Sequence, residues 1–293
     1  MFKGSIVAII TPFQKNEEID SDKLGELISW HIKNKTDAIL VCGTTGESAT
    51  LSHEEHKRVV KIAVEAANGK IPIIAGAGSN STKEALDLAV YAEKVGASAV
   101  LVITPYYNKP TQEGMYQHYK KIASEISLPL IIYNVPGRTG INILPVTVAR
   151  IYNDCKNVIG IKEASGNLDQ ITQLMSMVDN KFVLLSGSDE ITIPILSVGG
   201  AGVVSVVANI APRQTHNMVN EYLCGHHDKA RKIQLELYDL IKALFIETNP
   251  IPAKTALGLM GMIDPVLRLP LYKMSEANLD KFKKILKKYE LIK

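Results

Sequence analysis

Short runs of β-branched and other apolar residues recur along the chain, with stretches of helical periodicity between them. They are Ile6–Ile10, Ala38–Val41, Ile71–Ala75, Ala99–Ile103, Leu130–Tyr133, Val158–Lys162, Phe182–Ser186 and Gly202–Val206. Most are continuous rather than alternating, the pattern of parallel strands buried on both faces. The intervening segments carry helix-start chemistry. Ser52 with Glu55 and Ser81 with Glu84 fit capping boxes, Asn167 with Gln170 is a looser version, and Pro145 stands at a first helical position. Eight such units predict an α/β fold, the (β/α)8 TIM barrel. A doubly wound open sheet uses the same alternation, but no phosphate-binding fingerprint follows a strand: after Gly76-Ala77-Gly78, Ser81 takes the place of a third glycine.

From about Pro212 to Lys293 only helical periodicity is read, as in Ala230–Phe245 and Glu276–Tyr289. The expected division is a catalytic barrel over residues 1–224 and a C-terminal helical extension over 225–293. Ile191–Pro212 carries no charge, yet Pro194, three glycines and Asn209 interrupt it. A bilayer span would leave backbone groups unsatisfied at those breaks, so a short helix, a turn and a buried strand are expected instead.

Composition narrows the partners. The 293 residues are 46% hydrophobic and 22% charged, and the net charge of +3 gives no case for nucleic acid or a membrane. Cys42, Cys155 and Cys224 are too few and scattered for a disulfide framework or a zinc site, and read as reduced thiols of a cytoplasmic protein. His53-Glu54-Glu55-His56 spaces its histidines three apart with no evident third ligand, so no metal is expected there. The lysine-rich C-terminus reads as a solvated helix face.

In a barrel, chemistry sits where strands end. Here strand two runs into Gly43-Thr44-Thr45-Gly46-Glu47, and strand four into Thr104-Pro105-Tyr106-Tyr107-Asn108. Strand five ends in Tyr133-Asn134-Val135-Pro136-Gly137-Arg138-Thr139-Gly140, and strand six in Lys162-Glu163-Ala164-Ser165-Gly166. Hydroxyls, an arginine and a lysine thus converge on one rim, a costly arrangement unless it has partners or a function. Lys162 emerges among apolar walls, where desolvation disfavours an ammonium and favours a nucleophilic amine. The plainer alternatives are an ion pair with Glu163 or Asp189, or a phosphate site. Tyr133, expected level with Lys162, is either a proton shuttle or a core aromatic. Thr44 and Thr45 could receive a carboxylate or simply form a turn. Arg138 suits bidentate binding of a carboxylate.

Five motifs, GTTGE (Gly43–Glu47), TPYYNKP (Thr104–Pro110), YNVPGRTG (Tyr133–Gly140), KEASG (Lys162–Gly166) and NPIPAK (Asn249–Lys254), make the chain resemble the dihydrodipicolinate synthase family of pyruvate-dependent class I aldolases over its whole length. The resemblance implies a cofactor-free lyase of the diaminopimelate route to lysine. Lys162 would form a Schiff base with pyruvate, and the enamine would attack L-aspartate 4-semialdehyde. It implies Tyr133 as proton donor with Thr44 and Tyr107 as relay, Thr45 on the pyruvate carboxylate, Arg138 on the semialdehyde carboxylate, and Gly187 and Val204 as further substrate-binding residues. It also implies Tyr107 reaching a neighbouring subunit, a homo-oligomer built as a dimer of dimers, and a lysine-binding regulatory pocket at Ser48, Ala49, His53, His56, Asn80, Glu84 and Tyr106. The rivals are a sugar-acid lyase or aldolase of the same superfamily, against which Arg138 and Thr44-Thr45 speak, and a catalytically silent barrel that binds an amino acid or keto acid.

Overall fold

The computed structural model describes residues 2–293. Parallel strands β1 (Gly4–Ala8), β2 (Ala38–Val41), β3 (Ile73–Gly76), β4 (Ala99–Ile103), β5 (Leu130–Asn134), β6 (Val158–Glu163), β7 (Val183–Ser186) and β8 (Gly202–Ser205) form a closed barrel in chain order. β8 closes onto β1 through Gly4 and Gly202, where a Cβ on residue 202 would run into the Gly4 backbone. Sequence and structure agree on the strands, with small shifts at their ends. The largest shift is in β1, where Ile9 and Ile10 lie beyond the ladder. There Asn209 receives the Ile10 N–H and donates to the Ala8 carbonyl.

The apolar runs are continuous because each strand has two buried faces. Along β5, Ile131 and Tyr133 join the core inside the barrel, while Leu130 and Ile132 join the larger core between sheet and helices. That alternation follows from the two-residue repeat of a strand. One irregularity matters for chemistry. Leu130 pairs with Val158 but Ile131 pairs with Gly160, so one residue is skipped and Tyr133 comes level with Lys162.

Helix starts follow the sequence in part. Ser52 and Glu55 form the full reciprocal box at the start of helix His53–Ala67. Ser81 and Asn167 cap their helices from one side only. Glu84 instead accepts the Ser79 hydroxyl, and the Gln170 amide is engaged with Asn142. Pro145 opens helix Pro145–Asp154 as expected. The uncharged segment resolves into helix Thr192–Ser197, a glycine turn and β8.

Helices Pro212–Leu223, His227–Ala243, Ile251–Leu259 and Glu276–Lys288 follow the last strand. Residues 260–275 depart from the expected helical run and have no regular structure. Pro265 and Pro270 cannot supply helical N–H groups. This segment comes up against the β2 loop: Arg268 donates to the Thr50 and Glu17 carbonyls and to the Glu55 carboxylate. No described helix is long and apolar enough to cross a membrane.

Candidate active site

The β5–β6 register puts two inward-facing side chains together at the C-terminal ends of their strands. Lys162 Nζ lies 4.2 Å from the centre of the Tyr133 ring. Both residues are buried. Among the described residues Lys162 has no carboxylate within ion-pair distance. The two ion-pair candidates are occupied elsewhere. Glu163 points to the other face of the strand, where the Asn134 amide reaches both its oxygens at 3.0 and 3.2 Å and the Ser165 N–H donates at 2.6 Å. Asp189 accepts the Val206 and Val207 N–H groups at 2.8 and 3.1 Å. Burial pushes both carboxyls above their usual range. The lysine amine is therefore unencumbered by an ion pair.

Gly187 and Val204 complete the surroundings. A Cβ on residue 187 would sit 2.6 Å from the Ala164 Cβ and 3.2 Å from the Lys162 Cε, so glycine leaves the lysine its room. Val204 belongs to the same inner core as Tyr133.

The loop after β2 is the next component. It turns on the Gly46 N–H donating to the Gly43 carbonyl at 3.0 Å, and on Glu47 in a left-handed conformation at φ 52°. The Thr45 hydroxyl oxygen accepts a 2.9 Å hydrogen bond from Asn249 Nδ2. Glu47 forms an ion pair with Lys254 in which both side chains are fully buried, and its second oxygen accepts the Arg268 N–H at 3.2 Å. Burial brings the Lys254 pKa down to about 8 against the pull of Glu47. The Arg268 guanidinium holds Glu55 down to about 2. The motifs around residues 43 and 249 thus form one unit, tied at Thr45 and at Glu47.

Arg138 stands exposed in the helical turn Pro136–Thr139 and donates to the Asn249 carbonyl at 3.3 Å. Tyr107 is 88% exposed with φ +70°, on a loop that Asn108 fastens to the Asn80 carbonyl. A cavity of about 440 Å³ is lined by Thr44, Arg138 and Tyr106, and continues to Ser48, Ala49, His53, His56 and Glu84. Asn80, Lys162 and Tyr133 do not line it. Burial and the neighbouring His53 bring His56 down to about 4, so it meets a ligand as a neutral ring. No group of three potential metal ligands occurs among the described residues.

Reading the sequence missed the roles of Asn249, Lys254, Glu47 and Arg268. The signal available was a buried-looking charge in each of two quoted motifs. Nothing in a single chain says that Glu47 and Lys254 meet.

A model of the dihydrodipicolinate synthetase family matches residues 1–289. The chain is 54% identical to the 4-hydroxy-tetrahydrodipicolinate synthase of Sulfurihydrogenibium sp. and 53% identical to that of Syntrophus aciditrophicus, each alignment covering 100% of both chains. Among solved structures, the dihydrodipicolinate synthase from Aquifex aeolicus superposes with a TM-score of 0.98 at 48% identity, covering 99% of each chain. The enzyme from Acinetobacter baumannii, complexed with pyruvate, gives 0.97 at 43% identity and covers 100% of each. The enzyme from Cyanidioschyzon merolae, with lysine bound, gives 0.96 at 39% and covers 99% of each.

Proposed function

The chain belongs to the dihydrodipicolinate synthetase family, and we propose how its residues perform the reaction of a 4-hydroxy-tetrahydrodipicolinate synthase. It is a lyase that condenses pyruvate with L-aspartate 4-semialdehyde in diaminopimelate and lysine biosynthesis. The observation that carries the assignment is the unpaired Lys162 amine beside Tyr133. Lys162 Nζ attacks the keto carbon of pyruvate, and loss of water gives the imine. Loss of a methyl proton converts it to an enamine, which forms a carbon–carbon bond to the aldehyde. The semialdehyde's own amine then attacks the imine carbon, closes the ring and releases Lys162.

Protons must travel to the carbinolamine oxygen and back. Tyr133 is placed for this beside Lys162, with Thr44 and Tyr107 as the path outward. Thr45 receives the pyruvate carboxylate, with Gly187 and Val204 shaping the space around it. Arg138 holds the semialdehyde carboxylate at the mouth, where a guanidinium pairs with both oxygens.

Among the described residues the Tyr107 hydroxyl has no hydrogen-bond partner and the side chain is exposed, which supports a reading in which it enters a neighbouring subunit's site. A dimer would then be the smallest complete unit, and a dimer of dimers the assembly. The cavity joining Thr44 to His53, His56 and Glu84 suits L-lysine as inhibitor, with Glu84 facing its ammonium and Asn80 at the edge. The unpaired cysteines, two of them buried, suit the cytoplasm. Residues 225–293 act as an extension whose 249–268 portion fastens the β2 loop.

The test is condensation of pyruvate with the semialdehyde, run beside cleavage of N-acetylneuraminate. Lys162→Ala should lose at least about a thousandfold in rate, and borohydride with pyruvate should add mass at Lys162 in the wild type only. Turnover of the sugar acid alone would refute the role given to Arg138.

A further inference from the structure

We propose that Asn249 is a positioning residue that fixes the direction in which Thr45 offers its hydroxyl proton to the carboxylate of the keto-acid substrate. The inference rests on the reading of Thr45 as the pyruvate contact.

A hydroxyl has one proton to give and two lone pairs to receive. Asn249 Nδ2 donates to the Thr45 oxygen at 2.9 Å, so one lone pair is taken from the side of the C-terminal segment. Among the described residues the Thr45 O–H donates to no acceptor. Thr45 is 2% exposed, so this proton is held for a ligand in a nearly dry site. Asn249 is also buried, and among the described residues its Oδ1 receives no hydrogen bond. With the amide turned over, Oδ1 would accept the Thr45 proton and leave none for a ligand. The orientation in the structure leaves Oδ1 without a donor and keeps the threonine proton available. A ligand carboxylate, itself an acceptor, does not relieve the unpaired Oδ1; what the orientation makes available to it is the threonine proton.

The same residue touches the second substrate's site in a different way. Its backbone carbonyl accepts from Arg138 Nη2 at 3.3 Å. The side chain therefore serves the pyruvate end and the main chain serves the semialdehyde end. A side-chain substitution should separate the two. The Lys254–Glu47 ion pair five residues further on secures the segment on the loop, so removing the amide does not release Asn249's backbone.

The experiment is a cycle of Asn249→Ala and Thr45→Val, read by half-saturation of borohydride trapping with pyruvate and by steady-state KM for each substrate. Asn249→Ala should raise the pyruvate half-saturation about tenfold and leave the semialdehyde KM within about twofold. In the Thr45→Val background the same change should have no further effect. Asn249→Leu keeps the volume and lacks the donor, so it should behave alike if alanine compromises folding, which melting temperature reports. An undiminished effect in the Thr45→Val background, or an equal rise in both KM values, would overturn the proposal. Thr45→Val raising the pyruvate half-saturation while both Asn249 variants stay at wild-type values would also overturn it, and leave Thr45's role standing. A silent Thr45→Val would remove that role and the inference with it.

Discussion

The loops after β2 and β4 both supply residues to the rim, and they are built on opposite terms. The β2 loop is fastened from outside the barrel: Asn249 holds Thr45, Lys254 holds Glu47, and Arg268 ties Glu47, Thr50 and Glu55 together. The β4 loop carries Tyr107 into solvent in a left-handed conformation, with Asn108 its tether to Asn80. On the proposed reading one loop holds a small carboxylate in fixed geometry, where distortions of about an ångström cost rate steeply. The other leaves its tyrosine side chain exposed. The first loop is fastened by the buried Lys254–Glu47 pair and the partly solvated Arg268–Glu55 pair; the second has the Asn108 tether, and the proposed dimer would supply the rest.

The sharpest way to break that contrast is Lys254→Met. It strands the Glu47 carboxylate in a fully buried position, and should destabilise the protein by about 3–5 kcal/mol in urea denaturation. Adding Glu47→Gln should restore much of that loss, because the uncompensated charge is what destabilises. A single variant as stable as the wild type would mean the loop needs no fastening. Next in size, Tyr107→Phe should lower turnover about a hundredfold with the melting temperature almost unchanged, since no packing is lost. Sedimentation velocity on the same variant tells whether the association state moved with the rate.

The smallest expected effect is on the acid side. Arg268 lowers Glu55 from its ordinary 4.5 to about 2 in the folded chain. A lowered carboxyl binds fewer protons folded than unfolded, so its contribution is complete above pH 4.5 and fades as pH falls towards 2. Glu55→Gln should therefore lose under about 1 kcal/mol at pH 6, since the pair is partly solvated, and converge on the wild type near pH 2. Denaturation curves at pH 6, 4 and 3 measure it. A gap that widened on acidification would contradict the pairing.

The barrel was legible in the chain because a strand buried on both faces has to be apolar throughout, and a helix start has to supply an oxygen for free N–H groups. Lys162, Tyr133, Thr44, Thr45 and Arg138 stood out because they fall at or just beyond the ends of such strands, and the motif resemblance, not position alone, chose their roles over an ion pair, a core aromatic or a turn. The reciprocal box at Ser52 was visible for the same local reason; the one-sided caps at Ser81 and Asn167 were not, since Glu84 and Gln170 are claimed by groups outside their helices.

Taken alone, the order of apolar and polar residues determined the fold class, the rim and the identity of the candidate nucleophile. These depend on local periodicity and on side-chain chemistry, both of which are written in consecutive residues. The tertiary structure decided the rest. The skipped residue between Leu130 and Ile131 brings Tyr133 level with Lys162, and strand register is a property of two segments together. The contact of Asn249 with Thr45 joins positions 204 residues apart. Whether Glu47 is a solvated acid or half of a buried ion pair depends on where Lys254 arrives, and closure of the barrel brings it there.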